Sequence, residues 1–270
     1  MNSSAKVFDQ SQAVSLAEAK KAFLDKILPV LIKSYEFKTA IDVGCGFGYF
    51  TKYLIDLGLE VTAIDARPEN IAEASRRNPD AKLEIRNIED PSIIQSGDYD
   101  LTLALGLLYH LENPFLAIRN LAAITRKLCI IETITAPFKT PIAVLVEEGA
   151  GPDQGLDYCA LIPSESCFVK MLYKSGFRAV YRVSYLPDHR DFRSSVLIKR
   201  RRTILIASKL PLEHPLLLLV LEPKHSNQFI HYRFGLSGWL EKESLRNLAQ
   251  GMLKIFRGVI SIIHLDCRYE

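Results

Sequence analysis

Residues 40–51 read Ala40-Ile41-Asp42-Val43-Gly44-Cys45-Gly46-Phe47-Gly48-Tyr49-Phe50-Thr51: an apolar run, then glycine at every second position, then side chains suited to a helix. This is the pattern of a buried strand entering a tight turn and leaving it as a helix. Glycine lets such a turn close and lets a ligand approach the main chain with no Cβ in the way. On its own the triplet would be a weak signal, the alternative being a tight strand-to-helix turn that binds nothing. The spacing is G-x-G-x-G, not the G-x-G-x-x-G of dinucleotide sites, and Asp42 stands two residues before the first glycine, which argues against NAD.

Outward from this stretch, short β-rich runs alternate with helical ones, the pattern of a parallel sheet with crossover helices. Strands are expected at Ala40–Val43, Glu60–Ile64, Lys82–Arg86, Leu101–Leu105 and Leu128–Glu132, each apolar enough to be covered on both faces. Helices are expected at Tyr49–Leu57, Glu69–Asn78 and Pro114–Thr125. Pro163-Ser164 starts a further helix, Ser164–Ser175, closed by Gly176, with strands at Arg178–Ser184 and through Thr203–Ala207 after it. The fold class is therefore α/β, a Rossmann-like, doubly wound and mostly parallel sheet. Ahead of it, apolar residues from Ala13 to Leu31 at three- and four-residue spacing, with Lys20, Lys21, Asp25 and Lys26 between them, predict one amphipathic helix. Residues 135–162 are rich in Pro, Gly and acids and read as a long insertion over the carboxyl edge of the sheet. The expected domains are an N-terminal lid helix over 1–37, the Rossmann-like domain over 38–208, and a helical appendage over 209–270, where Leu240–Ile263 has helical spacing after Trp239.

A second strand ends at Ile64-Asp65, about 20 residues past the first glycine, where a carboxylate can accept both hydroxyls of a ribose. Together with the glycine turn, this resembles the class I S-adenosylmethionine-dependent methyltransferases over residues 38–208. The resemblance implies that Asp42, Gly44, Gly46 and Gly48 face the methionine part of the cofactor and Asp65 its ribose, with Cys45 and Ala66 also at the cofactor. It places Asn87, Ile88 and Glu89 at the adenine and Leu105 beside the cofactor, with S-adenosylhomocysteine as the product.

Leu101–Pro114 is another strand ending at the carboxyl edge, beside the expected methyl group, with Tyr109 and His110 just past it. A neutral imidazole there can take the proton from a hydroxyl nucleophile as the methyl moves in line from sulfur to oxygen. The alternative is that Tyr109-His110 packs on the cofactor or the loop. Leu107-Leu108-Tyr109-His110-Leu111-Glu112-Asn113-Pro114 also resembles a subgroup containing tRNA wobble-uridine carboxymethyl transferases and many small-molecule methyltransferases. Glu132, Glu147, Glu148 and Asp157 are candidates for binding a cationic or hydroxylated substrate, or are simply solvated; Glu132 joins Tyr109 and His110 as the catalytic candidates. His189, between Asp188 and Arg190, either reaches the pocket or lies on the surface. Lys199-Arg200-Arg201-Arg202 is read as a charged strand edge or as a phosphate or carboxylate site.

Composition limits the remaining readings. The 270 residues are 48% hydrophobic with a net charge of +3, enough for a real core and too balanced for a global field toward nucleic acid. No secretory leader or transmembrane helix is expected, since Ile204–Leu221 is interrupted by charges and prolines. Cys45, Cys129, Cys159, Cys167 and Cys267 are scattered, which suits reduced thiols and a cytoplasmic location. His225 and His231 lack partners at metal-ligand spacing, so no metal is expected. The expected function is methyl transfer from S-adenosylmethionine to a small metabolite, at oxygen. The alternatives are an RNA-directed methyl or carboxymethyl transferase and a non-catalytic module on the same fold. The oligomeric state, monomer or homodimer, stays open.

Overall fold

The computed structural model describes residues 7–149, 151, 153–156, 159–193 and 202–223. They fall in one unit, Met1–Pro223; Lys224–Glu270 form a second unit that lies outside the described residues. The elements in chain order are α1 (Ser11–Leu24), α2 (Leu28–Ser34), β1 (Thr39–Val43), α3 (Tyr49–Asp56), β2 (Glu60–Asp65), α4 (Pro68–Arg77), β3 (Lys82–Ile85), β4 (Tyr99–Leu105), α5 (Pro114–Ile124), β5 (Thr125–Ile134), β6 (Ala143–Glu147), β7 (Cys159–Pro163), α6 (Glu165–Lys174), β8 (Ala179–Val183), β9 (Arg202–Ser208) and β10 (Leu217–Leu219). Eight strands form one sheet in the order β10-β8-β9-β5-β4-β1-β2-β3. From β3 to β5 every pairing is parallel, while β9 runs antiparallel to β5 and β8, and β10 antiparallel to β8.

The period-two alternation of the central strands divides the core into two layers. Leu101 and Leu103 of β4 and Leu128 and Ile130 of β5 pack in one cluster, with α1, α2 and α3. Ala104 of β4 and Cys129 and Ile131 of β5 pack in the other, with α5 and α6. Both faces are thus covered, which is why these strands read as continuous apolar runs. The strand order reverses at β1 and β4, and the crevice at their carboxyl ends is where ligands bind in such sheets.

The N-terminal region differs from the single helix expected over Ala13–Leu31. It breaks at Asp25–Ile27 because Pro29, at the first turn of α2, cannot donate the hydrogen bond a continuous helix needs there. The chain tightens instead through Lys26 N–H to Phe23 O and Ile27 N–H to Leu24 O. Nor are these helices only a cover: Phe23, Leu24, Leu28 and Leu31 are buried against the sheet, each contributing about 1.5–3 kcal/mol by leaving water.

Two further segments depart from expectation. The insertion is not wholly irregular, since β6 and β7 pair antiparallel from Ala143↔Pro163 to Glu147↔Cys159. Residues 209–223, assigned to the helical appendage, instead add β10 to the sheet through Leu217↔Val183. The rest of that appendage, with Trp239, Leu240–Ile263, His225, His231 and Cys267, lies outside the described residues, as do Asp157 and Lys199–Arg201. No helix among the described residues is long and apolar enough to cross a membrane.

Candidate active site

The turn after β1 places three glycines at positive φ, +72° at Gly44, +53° at Gly46 and +81° at Gly48. At Gly44 a Cβ would lie 2.9 Å from Leu107 Cδ1, so only glycine lets this turn close against the segment after β4. At Gly46 a Cβ would face the Phe8 ring at 3.4 Å; the N-terminal segment therefore lies over the turn, and Phe8 packs edge-on against Phe47. Arg77 ties that segment down with two hydrogen bonds to Asp9, at 3.0 and 2.8 Å.

A cavity of about 600 Å³ opens along the carboxyl ends of the strands. Asp42, Gly44, Cys45, Gly46, Asp65, Ala66, Asn87, Ile88, Glu89 and Leu105, residues that the sequence offered as cofactor contacts, all line it. Gly48 stands one step back as the N-cap of α3. Asp65 Oδ2 accepts the Gly46 N–H at 2.9 Å, and Oδ1 accepts from Arg67 N–H at 2.9 Å and Asn70 Nδ2 at 3.1 Å. The carboxylate is thereby aimed along the cavity, and burial raises its pKa against these bonds. Asp42 is buried with Thr51 Oγ1 at 2.8 Å. Burial pushes its carboxyl up to about 6, with the Thr51 hydrogen bond opposing, so a cationic ligand group beside it would relieve a real cost. Burial also pushes the Cys45 thiol far up, which makes it a packing residue rather than a nucleophile. Asn120 Nδ2 donates to Ile88 O at 2.7 Å and Asn87 Oδ1 accepts from Glu89 N–H at 2.9 Å, fixing the third wall.

The other end of the cavity is built by the segment after β4. Leu108–His110 make a single 3₁₀ turn that brings Tyr109 and His110 to the lining. His110 Nδ1 lies 2.7 Å from Glu148 Oε2, and Glu148 Oε2 also accepts the Gly155 N–H at 2.8 Å. Arg67 donates to Gln154 O and Gly155 O at 3.1 and 3.0 Å, so the insertion is held over both ends of the cavity. With Nδ1–H donating to Glu148, a neutral His110 keeps Nε2 bare as a proton acceptor.

Glu132 sits on the strand where the sequence put it, but behind the groups that face the cavity. It is fully buried at the end of β5 and does not line the cavity. Its Oε1 accepts from Arg202 Nη1 at 2.9 Å, and Lys20 Nζ lies 2.5 Å from Oε2, a close ionic contact off the hydrogen-bonding direction. Burial raises the Glu132 pKa, but Lys20 and Arg202 outweigh it and leave the group lowered. Arg202 also donates to Tyr109 Oη at 3.2 Å and Asp191 Oδ2 at 3.4 Å. Glu132 is thus the counter-ion of two buried cations. Glu147 is exposed at the end of β6, and Asp188 is on the surface, whereas His189 lines the cavity.

Sequence reasoning missed Lys20, Arg67, Asp191 and, as an individual residue, Arg202. Lys20 sat among the charges of an amphipathic helix, and nothing in spacing separates a charge facing water from one facing a buried carboxylate. Arg202 was hidden in a basic run, although it is also the first residue of its strand.

Residues 41–131 match the family model described as Methyltransferase domain. Over 90 residues the chain is 30% identical to the Ubiquinone biosynthesis O-methyltransferase of Xanthomonas campestris pv. campestris strain B100, covering 32% of this chain and 38% of that protein. The chain therefore spans well under half the length of the curated relatives it matches. Among solved structures it is similar to the N-terminal domain of EvdMO1 with SAH bound, at a TM-score of 0.57 and 17% identity, covering 71% of this chain and 80% of that one. It is also similar to magnesium protoporphyrin IX methyltransferase (ChlM) from Synechocystis PCC 6803 with bound SAM, at 0.51 and 15%, covering 74% and 85%. At these identities the structural likeness shows the fold, which is the Rossmann-like fold of S-adenosylmethionine-dependent methyltransferases.

Proposed function

We propose that this chain is an S-adenosylmethionine-dependent methyltransferase that methylates a small molecule at oxygen. The observation that carries the proposal is that one cavity has the glycine turn, Asp42 and Asp65 on one wall and Tyr109 and His110 on another. The matched methyltransferase segment spans the same elements, and the name of the Xanthomonas relative supports an oxygen acceptor. No observation favours the RNA-directed alternative.

The residues present fit the cofactor. Asp42, desolvated and hydrogen-bonded to Thr51, suits an α-ammonium group. Asp65 is oriented to accept ribose hydroxyls, and Ile88 offers an apolar face to a base. S-adenosylmethionine, when bound, would supply an electrophilic methyl whose leaving group is a neutral thioether, open to attack by an oxygen in line with the S–CH₃ bond. His110 Nε2 takes the hydroxyl proton of the acceptor, Glu148 holds the ring in the required tautomer, and the insertion and Phe8 keep water from the reacting atoms.

The test is incubation of the folded protein with methyl-labelled S-adenosylmethionine and fractionated metabolite extracts, with His110→Ala in parallel. Label should enter a low-molecular-weight product on oxygen; label that resists mild base marks an ether and label released by it marks an ester. Failure of both S-adenosylmethionine and S-adenosylhomocysteine to bind folded protein would remove the proposal.

A further inference from the structure

Lys20 is a buried ammonium on the wall of the cavity. It is 7% exposed, it lines the space, and among the described residues its ion-pair partner is the shared carboxylate of Glu132 at 2.5 Å. An ammonium has three donors, so one carboxylate leaves the group able to bind more. Arg202 is different: its Nη1, Nη2 and Nε already meet Glu132, Tyr109 and Asp191. Two buried cations therefore share one fully buried carboxylate. The second carboxylate, Asp191, is partly solvated and lies on the Nε side of Arg202.

The position of Lys20 along the cavity follows from Gly106, the residue after β4, whose φ is +84°. The space a Cβ at 106 would fill is bounded by Lys20 Nζ at 3.5 Å, Tyr109 Oη at 3.7 Å and Glu132 Oε2 at 3.8 Å. Glycine here leaves open the small polar niche between β4 and the Tyr109-His110 turn, at the end of the cavity away from Asp65. The niche holds a cation whose only ion-pair partner among the described residues is Glu132, a hydroxyl that receives a hydrogen bond from Arg202, and His110 as the neighbour of Tyr109 in the chain, with ring centroids 4.1 Å apart.

The geometry points to Lys20 as an acceptor-binding residue whose ammonium receives an anionic oxygen. The chain would thereby select small acceptors carrying an acidic hydroxyl, phenolic or enolic, or a carboxylate. This rests on the methyltransferase reading and deepens it. For an acidic hydroxyl the step balances as follows: the O–H proton goes to His110 Nε2, Lys20 holds the resulting oxyanion, and an oxyanion lone pair forms the O–CH₃ bond. The S–CH₃ bond breaks and its electron pair stays on sulfur as a neutral thioether. A carboxylate acceptor needs no proton transfer, so it would react, or be held, without His110.

The experiment uses the full chain saturated with S-adenosylhomocysteine and three probes: 4-nitrocatechol, whose anion has its own absorbance band, benzoate, and 4-nitroanisole, which has no acidic oxygen. Wild type should bind 4-nitrocatechol as its anion, or benzoate, at least tenfold more tightly than 4-nitroanisole. Which acid binds separates the phenolic from the carboxylate class. Lys20→Gln, which keeps a donor toward Glu132 but no charge, should lose about ten- to a hundredfold in affinity for that acid, the span of one charge-assisted hydrogen bond, with affinity for S-adenosylhomocysteine kept within a few fold as the check on folding. The inference is overturned if wild type binds S-adenosylhomocysteine yet holds neither acid better than the anisole, a comparison that needs no variant. It is equally overturned if folded Lys20→Gln binds the acid as wild type does. If S-adenosylhomocysteine itself does not bind folded wild type, the methyltransferase reading fails instead.

Discussion

Glu132 offers the sharpest test of how this site is built, because a carboxylate at the end of β5 can be either a reacting group or the counter-ion of its neighbours. The structure makes it the counter-ion: it is 0% exposed, with Lys20 at 2.5 Å and Arg202 at 2.9 Å. Removing one partner of a buried ion pair costs about 3–5 kcal/mol, since the remaining charge keeps its desolvation penalty without compensation. Here the partner is shared, so Glu132→Ala should reach the upper part of that range. At about 2–4 °C per kcal/mol for a chain of this size, Tm should fall by roughly 8–20 °C. Glu132→Gln keeps an acceptor for Arg202 Nη1 and should lose less.

The pH dependence has a definite sign. The folded-state pKa of Glu132 is lowered by its two cations, burial opposing. Its contribution is therefore present above the unfolded carboxyl value of about 4.3 and is lost as pH falls through the folded value. The stability gap between wild type and Glu132→Gln should stay level from about pH 5 to 8 and close in acid. Thermal and urea unfolding followed by circular dichroism measure both quantities. In the double variant Lys20→Met, Glu132→Gln the losses should be less than additive, because each single change strands a charge that the double change removes. A Glu132→Gln protein with the Tm of wild type and no methyl transfer would refute the counter-ion assignment and return Glu132 to the reacting groups.

Asp65→Ala should weaken S-adenosylhomocysteine binding by about ten- to a hundredfold in calorimetry, and unchanged affinity would mean that the ribose lies elsewhere. Asp42→Asn should trade stability against binding. The carboxyl pKa of about 6 lies above its unfolded value, so the ionised group costs stability at pH 7. The variant should gain up to about 3 kcal/mol there, an advantage that vanishes below about pH 4, while losing affinity for S-adenosylhomocysteine. His110→Ala should lower kcat by roughly 10²–10⁴ with cofactor affinity kept within a few fold; a raised KM with kcat retained would assign His110 to orienting the acceptor instead. Gly46→Val should abolish cofactor binding, because its side chain would push into Phe8 from a backbone at φ +53°, and proteolysis near the N-terminus should speed up as that segment lifts.

What the sequence made legible was local. Gly44, Gly46 and Gly48 announce their turn because a positive φ restricts the residue type whatever surrounds it, and Asp65 follows because parallel pairing of β1 and β2 fixes where the second strand must end. The break between α1 and α2 was also legible in principle, since Pro29 forbids a continuous helix. The hairpin β6–β7 was not, because Ala143, Val144 and Leu145, successive apolar residues of β6, are all exposed and give no inward-outward alternation to detect. Lys20 and Glu132 were illegible for a different reason. Each is costly to bury alone, so a reading one residue at a time sends Lys20 to solvent and leaves Glu132 free to meet a substrate. Only the packing of α1 against the carboxyl end of β5 makes them solve each other's desolvation. A buried ion cluster is a property of pairs far apart in the chain, and the same remoteness that hides it from local patterns is what lets an N-terminal helix bring a charge to the acceptor end of a cavity that the glycine turn begins.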